Sequence, residues 1–192
     1  MTDQAGSTPD PALKGKRVGI LDGEDDFVNM LRHVLRVLGM SSEVVRHEKW
    51  TETALDDFDL VIVGPGPGDP RDGDDAKIAT FLAATRRLLE RGQKFFGVCL
   101  GHQTLCHELG LDLGFKDIVF QGTQSSVDLG GRVERVGFYN TFVGRVGERG
   151  LPEGVTAYAE AETGDIHAVV GPHFRGIQFH AESILTEHGF DL

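Results

Sequence analysis

Cysteine is scarce in this chain. Cys99 and Cys106 are its only two among 192 residues, seven positions apart on what reads as one strand–turn–helix unit. A disulfide framework is therefore excluded, and this usage fits a reducing compartment, so the chain is expected in the cytoplasm. Basic residues are in short supply too: 19 Lys and Arg face 30 Asp and Glu, a formal net charge of −11. That balance argues against nucleic acid and against an anionic membrane surface as partners. No apolar run approaches the roughly 20 residues of a membrane span, and Met1-Thr2-Asp3-Gln4 lacks the charged and apolar regions of a signal peptide. Internal repeats and low-complexity linkers are also missing. At 192 residues the chain has room for one α/β core and is short for two domains.

What is present alternates between strand and helix patterns. Residues 1–15, polar and carrying Pro9 and Pro11, read as a flexible tail ahead of a single domain over 16–192. Residues 17–21 read as a first strand. In the next helix Phe27, Met30, Leu31, Val34, Leu35 and Leu38 recur at three- and four-residue spacing up to Gly39. Residues 42–45 and 59–63 read as the second and third strands. A helix over 74–90 places Ile78, Phe81, Leu82, Thr85, Leu88 and Leu89 on one face. Residues 94–98 read as a fourth, buried strand, and 104–109 as a helix stopped by Gly110. This order predicts an α/β fold: a mainly parallel open sheet with right-handed crossovers and flanking helices. From Asp117 onward, alternating segments rich in Val, Phe and Gly predict a C-terminal antiparallel portion.

Three segments carry chemistry. In Gly97-Val98-Cys99-Leu100-Gly101-His102-Gln103 a cysteine stands between two glycines at a strand-to-helix turn. A nucleophile at such a turn needs a strained backbone, and small residues two before and two after it make room. The helix N-terminus beyond it favours a thiolate. The plainer reading is a buried structural cysteine. In Gly64-Pro65-Gly66-Pro67-Gly68-Asp69-Pro70, alternating Gly and Pro end a strand in a stiff loop with exposed backbone N–H groups. Such a loop at a strand's carboxyl end can supply half of an oxyanion hole, although alone it is equally a plain turn. In Gly176-Ile177-Gln178-Phe179-His180-Ala181-Glu182-Ser183, an alternating strand leads to His180 with Glu182 two residues on. Nucleophile, base and orienting carboxylate thus stand in the order Cys, His, Glu.

The three segments together resemble the class I, triad-type glutamine amidotransferases. That family's usual forms are a Gly-x-Cys-x-Gly-x-Gln elbow, a Gly-Pro-Gly oxyanion loop and a His-Pro-Glu ending, and the likeness runs from about Arg17 onward. Leu21-Asp22-Gly23-Glu24-Asp25-Asp26-Phe27 and the loop ending Gly68-Asp69-Pro70 look like the glutaminase part of chorismate-aminating synthases of the anthranilate and 2-amino-2-deoxyisochorismate types. Ile118-Val119-Phe120-Gln121-Gly122-Thr123-Gln124, with Val136-Gly137-Phe138-Tyr139-Asn140-Thr141-Phe142, is similar to the phenazine-type enzymes. The resemblance implies that Cys99 attacks the side-chain amide of L-glutamine, forming a γ-glutamyl thioester and releasing ammonia. His180 would protonate the departing ammonia and later activate water, with Glu182 holding its ring. The backbone N–H groups of Leu100 and Gly66 would form the oxyanion hole, and Gln103, Thr141, Phe142 and Gly68 the substrate pocket. The ammonia would serve a chorismate-using synthase, present as a large subunit or a fused domain. No cofactor and no metal is implied for this chain; any magnesium would belong to the synthase.

Departures from the family pattern are Gly64 in place of Ser, Ala181 in place of Pro, and Asn140-Thr141 in place of His-Ser. The chain stops ten residues after Glu182, where the resemblance implies a closing helix, so a longer or fused parent is expected. His102 reads as a packing residue and Cys106 as core. His33, His47, His107, His167, His173 and His188 show no ligand spacing and read as surface or capping histidines. Glu24-Asp25-Asp26 and Asp72, Asp74 and Asp75 stand at helix starts, where carboxylates cap N–H groups. Two other function classes stay open: a stand-alone γ-glutamyl hydrolase and a non-catalytic partner subunit. The chorismate-type motifs argue against the first, and the intact Cys99, His180 and Glu182 against the second.

Overall fold

The computed structural model describes residues 10–51 and 53–192. In chain order its elements are β1 (Arg17–Asp22), α1 (Phe27–Val37), β2 (Ser41–Arg46), β3 (Leu60–Val63), α2 (Ala76–Arg91), β4 (Phe95–Val98) and α3 (Leu100–Glu108). The antiparallel strands β5 (Asp112–Asp128), β6 (Val133–Arg145), β7 (Thr156–Ala159) and β8 (Ile166–Val170) follow, and then β9 (Phe174–Ile177). Of the expected tail, residues 1–9 lie outside the described residues. Asp10 accepts a hydrogen bond from the Ala12 N–H to cap a short 3-10 turn over Pro11–Leu13.

Seven strands form one sheet in the order β2-β1-β3-β4-β9-β8-β7. β1, β2, β3, β4 and β9 run parallel, while β7 and β8 are antiparallel additions. β1 and β3 have helices or the hairpin over both faces, which is why Val18-Gly19-Ile20-Leu21 and Leu60-Val61-Ile62-Val63 are unbroken apolar runs. One core lies under α2 and α3 (Phe81, Leu88, Leu100, Leu105); the other lies under α1 and the β5–β6 hairpin (Leu31, Leu35, Val136, Phe138). α2 is bounded as its sequence dictates: the Asp75 carboxylate accepts from the N–H groups of Lys77 and Ile78, and Gly92 takes a left-handed φ of 61° after the last turn.

Three expectations are refined. α3 begins at Leu100, directly after Cys99, because the elbow passes straight from strand into helix. The antiparallel portion divides in two: β5 and β6 form a long hairpin of their own, and only β7 and β8 extend the main sheet. On α1 the buried stripe is Val28, Leu31 and Leu35, whereas Met30 is exposed, because the helix turns Val28 rather than Met30 toward the sheet.

Asp165 fastens the hairpin to the main sheet. Its buried carboxylate accepts from Lys116 Nζ of β5 at 2.7 Å, and from Arg145 Nε and Nη2 of β6 at 2.8 and 2.6 Å. Removing the carboxylate leaves two cations without their buried counter-charge, so Asp165→Ala is expected to lower the unfolding free energy by about 3 kcal/mol. Urea unfolding of the two proteins measures this, and a loss under about 1 kcal/mol, the range of exposed ion pairs, would sink the clamp.

Candidate active site

Strand pairing explains how residues 80 positions apart come together. β9 lies parallel to β4 with Phe95 opposite Phe174 and Val98 opposite Ile177. Both chains leave the sheet side by side, and the Cys99 N–H donates to the Ile177 carbonyl at 2.9 Å. On the other flank β3 pairs with β4, so the loop from Gly64 rises beside Cys99. The carboxyl ends of β3, β4 and β9 therefore converge, the place where open α/β sheets bind ligands.

Cys99 sits at φ 52° and ψ −101°, a backbone conformation that non-glycine residues avoid and that is held where surrounding structure enforces it. The enforcing contacts are tight. A Cβ on Gly97 would lie 2.7 Å from the Gly101 carbonyl oxygen, and one on Gly101 only 1.9 Å from that of Val63. Leu100 opens α3, so its N–H has no intrahelical carbonyl to bond. The Gly101 N–H donates to the Gly64 carbonyl at 3.2 Å, which docks the oxyanion-type loop against the elbow. Gly66 in turn rests on Gly23, whose carbonyl oxygen would be 2.6 Å from any Cβ there.

His180 follows β9 and is tied to β6 by its N–H, which donates to the Gly137 carbonyl at 2.9 Å. Its Nδ1 lies 2.8 Å from Glu182 Oε1, both side chains being buried. The ring is walled by Phe27, with centroids 4.3 Å apart, and by Tyr139 edge-on at 5.3 Å. Its Nε2 has no hydrogen bond of ordinary geometry. Burial works against the imidazolium, but the contact with the Cys99 sulfur and then that with Glu182 outweigh it, and the pKa rises to about 10. A His raised in this way stabilises the fold fully below its ordinary 6.5, and the contribution is lost as pH rises toward 10. In Cys99→Ala the strongest support for the charged ring is gone, so this loss of stability is expected at lower pH than in the parent. Unfolding free energies across pH 6 to 10 test it, and coincident curves would remove the coupling of sulfur and ring.

A pocket of about 440 Å³ opens over this site, lined by Cys99 and His180 together with Gly66, Gly68, Gln103, Thr141 and Phe142. Glu182 stands behind His180, and Leu100 has its side chain in the core and only its backbone at the elbow. Gln103 has its Nε2 on the Phe142 carbonyl at 2.9 Å and the Gln178 Oε1 at 3.1 Å, leaving its own Oε1 as the acceptor available to a ligand.

The sequence reads Phe27 only as part of the apolar face of α1, and gives Tyr139 and Gln178 no contact with the catalytic residues. All three stand inside segments it singled out, but their contacts with His180 and Cys99 arise from strand neighbours that spacing does not reveal. Two histidine readings change. His167 is buried on β8 against Phe138, and burial holds its pKa below the ordinary value. Glu24, His47 and Glu48 offer ligand atoms within 4.8 Å of one another, brought together from two loops. Arg46 and Lys77 stand among these carboxylates, at 2.9 Å from Glu48 and 3.6 Å from Glu24, and already balance them. Among the described residues no helix is long and apolar enough to cross a membrane.

Comparison with known proteins agrees with this geometry. The glutamine amidotransferase class-I family matches residues 19–192. A phenazine-specific anthranilate synthase of Pseudomonas fluorescens is 44% identical over 181 residues, covering 92% of this chain but 28% of that protein. The pyocyanine-specific anthranilate synthase component 2 of Pseudomonas aeruginosa is 33% identical over 188 residues, covering 90% of this chain and 88% of that one. The chain thus spans little more than a quarter of the length of the former and most of the latter. The crystal structure of a glutamine amidotransferase from Thermotoga maritima superposes with a TM-score of 0.71 at 19% identity, over 87% of this chain and 76% of that one. The chain belongs to the class I glutamine amidotransferases.

Proposed function

We propose that this chain is the glutaminase part of a chorismate-aminating synthase of the anthranilate or 2-amino-2-deoxyisochorismate type, with a single catalytic domain over 16–192. The observation that carries the chemistry is the buried Cys99–His180–Glu182 arrangement at the mouth of a pocket. Cys99 attacks the amide carbon of L-glutamine, the negative charge developing on the amide oxygen meets the N–H groups of Leu100 and Gly66, and His180 gives its proton to the departing ammonia. The C–N bond breaks and a γ-glutamyl thioester remains. Water, deprotonated by His180, then frees glutamate and restores the thiol. Glu182 fixes the tautomer of the ring and stabilises its cation. Gln103, Thr141, Phe142 and Gly68 hold the amino-acid end of the substrate. The names of the relatives support the chorismate-type partner, which is the acceptor of the ammonia. Two free cysteines and the acidic charge balance suit a cytoplasmic location.

The roles are separable. His180→Ala removes the proton carrier, and Glu182→Gln removes only its orienting charge, so thioester formation is expected to fall about 10⁴-fold in the first and about 10²-fold in the second. Single-turnover trapping of the acyl-enzyme from labelled glutamine measures both. Equal or reversed losses would contradict the assignment.

A further inference from the structure

Gln178 is a buried amide, 1% exposed, placed directly after β9 with its N–H bonded to the His167 carbonyl at 2.9 Å. The orientation of its side chain follows from its neighbours. The Phe142 carbonyl can only accept, so the Gln103 group 2.9 Å from it is the NH₂. The same NH₂ lies 3.1 Å from Gln178, which must therefore present Oε1 to it. That leaves the Gln178 NH₂ for the Cys99 sulfur, 3.7 Å away. Turning Gln178 over would set donor against donor at Gln103 and a carbonyl oxygen against the sulfur. Besides the His180 ring, the sulfur meets the Tyr139 carbonyl at 3.8 Å, which accepts from a thiol and repels a thiolate. Gln178 is on the opposite footing: its N–H suits the thiolate and offers nothing special to the thiol.

We infer that Gln178 is a positioning residue for the nucleophile: its amide N–H holds the Cys99 sulfur as a thiolate, and its carbonyl, through Gln103, ties that alignment to the Phe142 segment of the substrate pocket. The inference rests on the reading of Cys99 as nucleophile. It places Gln178 in contact with the reacting sulfur and, through Gln103, with the strand that lines the pocket. Occupation of the pocket and readiness of the sulfur are thereby linked through two amides.

The test is alkylation of Cys99 by iodoacetamide across pH, followed by mass spectrometry on the full chain, beside steady-state glutamine hydrolysis. Gln178→Glu keeps the acceptor that Gln103 needs and turns a carboxylate oxygen toward the sulfur. Gln178→Met removes donor and acceptor while nearly keeping the volume. Loss of a hydrogen bond to a charged group is expected to slow alkylation at pH 7 about tenfold in Gln178→Met, and about 100-fold in Gln178→Glu, where repulsion is added. Both rate profiles move to higher pH. In Gln178→Glu kcat falls by a similar factor while KM stays within about threefold, the mark of an interaction made at the reacting atom. A residue that merely supports the fold would lower the melting temperature and leave the alkylation profile in place. A folded Gln178→Glu with the parent's pH profile overturns the inference, as does loss of folding in both variants, which would make Gln178 structural. Alkylation reads the sulfur without glutamine. Failure of the nucleophile reading would show separately, as glutamine hydrolysis surviving in Cys99→Ser.

Discussion

Cys99→Ser is expected to reduce glutamine hydrolysis by at least about 10⁴-fold, the scale at which loss of a nucleophile leaves only the binding and oxyanion contributions. The site is arranged around sulfur: the raised pKa of His180 depends first on its contact with Cys99 against the opposing effect of burial. A serine hydroxyl is a far weaker nucleophile in that place and does not supply the sulfur's support of the charged ring. Assembled with the chorismate-using synthase that the proposed function requires, the variant should still form product from free ammonia at the parent's rate, because ammonia bypasses the thioester. Cys106→Ser is the matched control. Cys106 is fully buried on α3, its sulfur 3.6 Å from His102 Nε2, and burial pushes its thiol up to about 12, which keeps it inert at neutral pH. Glutamine- and ammonia-dependent synthesis would be assayed in parallel for both variants. More than a few per cent of glutamine-dependent activity in Cys99→Ser would remove the sulfur from the mechanism.

Much of the main sheet was legible in the sequence because parallel strands buried on both faces are written as unbroken apolar runs. The elements around Ile20, Ile62 and Val98 stand within a few residues of where such runs place them. The helices were legible from capping and spacing, with Asp75 among the carboxylates read as caps at the start of α2. The hairpin was legible only as antiparallel strands from Asp117 onward, without its bounds or its separation from the main sheet: β5 is half exposed and irregular, with its register broken between Phe115 and Phe120 and again after Gln121. For the site, the elbow, the oxyanion-type loop and the His–Glu pair were visible because each is local. Gln178 and Phe27 were invisible as partners, since one faces Cys99 only through the pairing of β4 with β9 and the other faces His180 across the ends of the sheet. Which distant strands become neighbours is decided by tertiary packing, and the spacing of residues along the chain does not reveal it.

The second large effect is expected from a single methyl group. Gly101→Ala places a Cβ 1.9 Å from the Val63 carbonyl oxygen and 2.6 Å from its carbon. Both are backbone atoms of β3, an interior strand of the sheet, so no side chain can swing aside. Either α3 moves off β3 or the strand end shifts, and both carry the Gly101-to-Gly64 hydrogen bond and the Leu100 N–H with them. Overpacking of this kind costs about 3 kcal/mol or more in stability, more than the few tenths that alanine gains over glycine in a helix can offset. A catalytic loss of comparable size is expected in the protein that remains folded. A displaced oxyanion donor alone costs on the order of 10² to 10³ in rate, and the same movement misaims a sulfur already held at an unfavourable φ of 52°. Gly73→Ala is the comparison, since a Cβ there meets nothing within 4 Å and should leave both stability and hydrolysis near the parent's. Urea unfolding and glutamine hydrolysis measured on the folded fraction separate the two effects. A folded Gly101→Ala protein with the parent's rate would mean that the close approach of α3 to β3 does not set the geometry of the nucleophile.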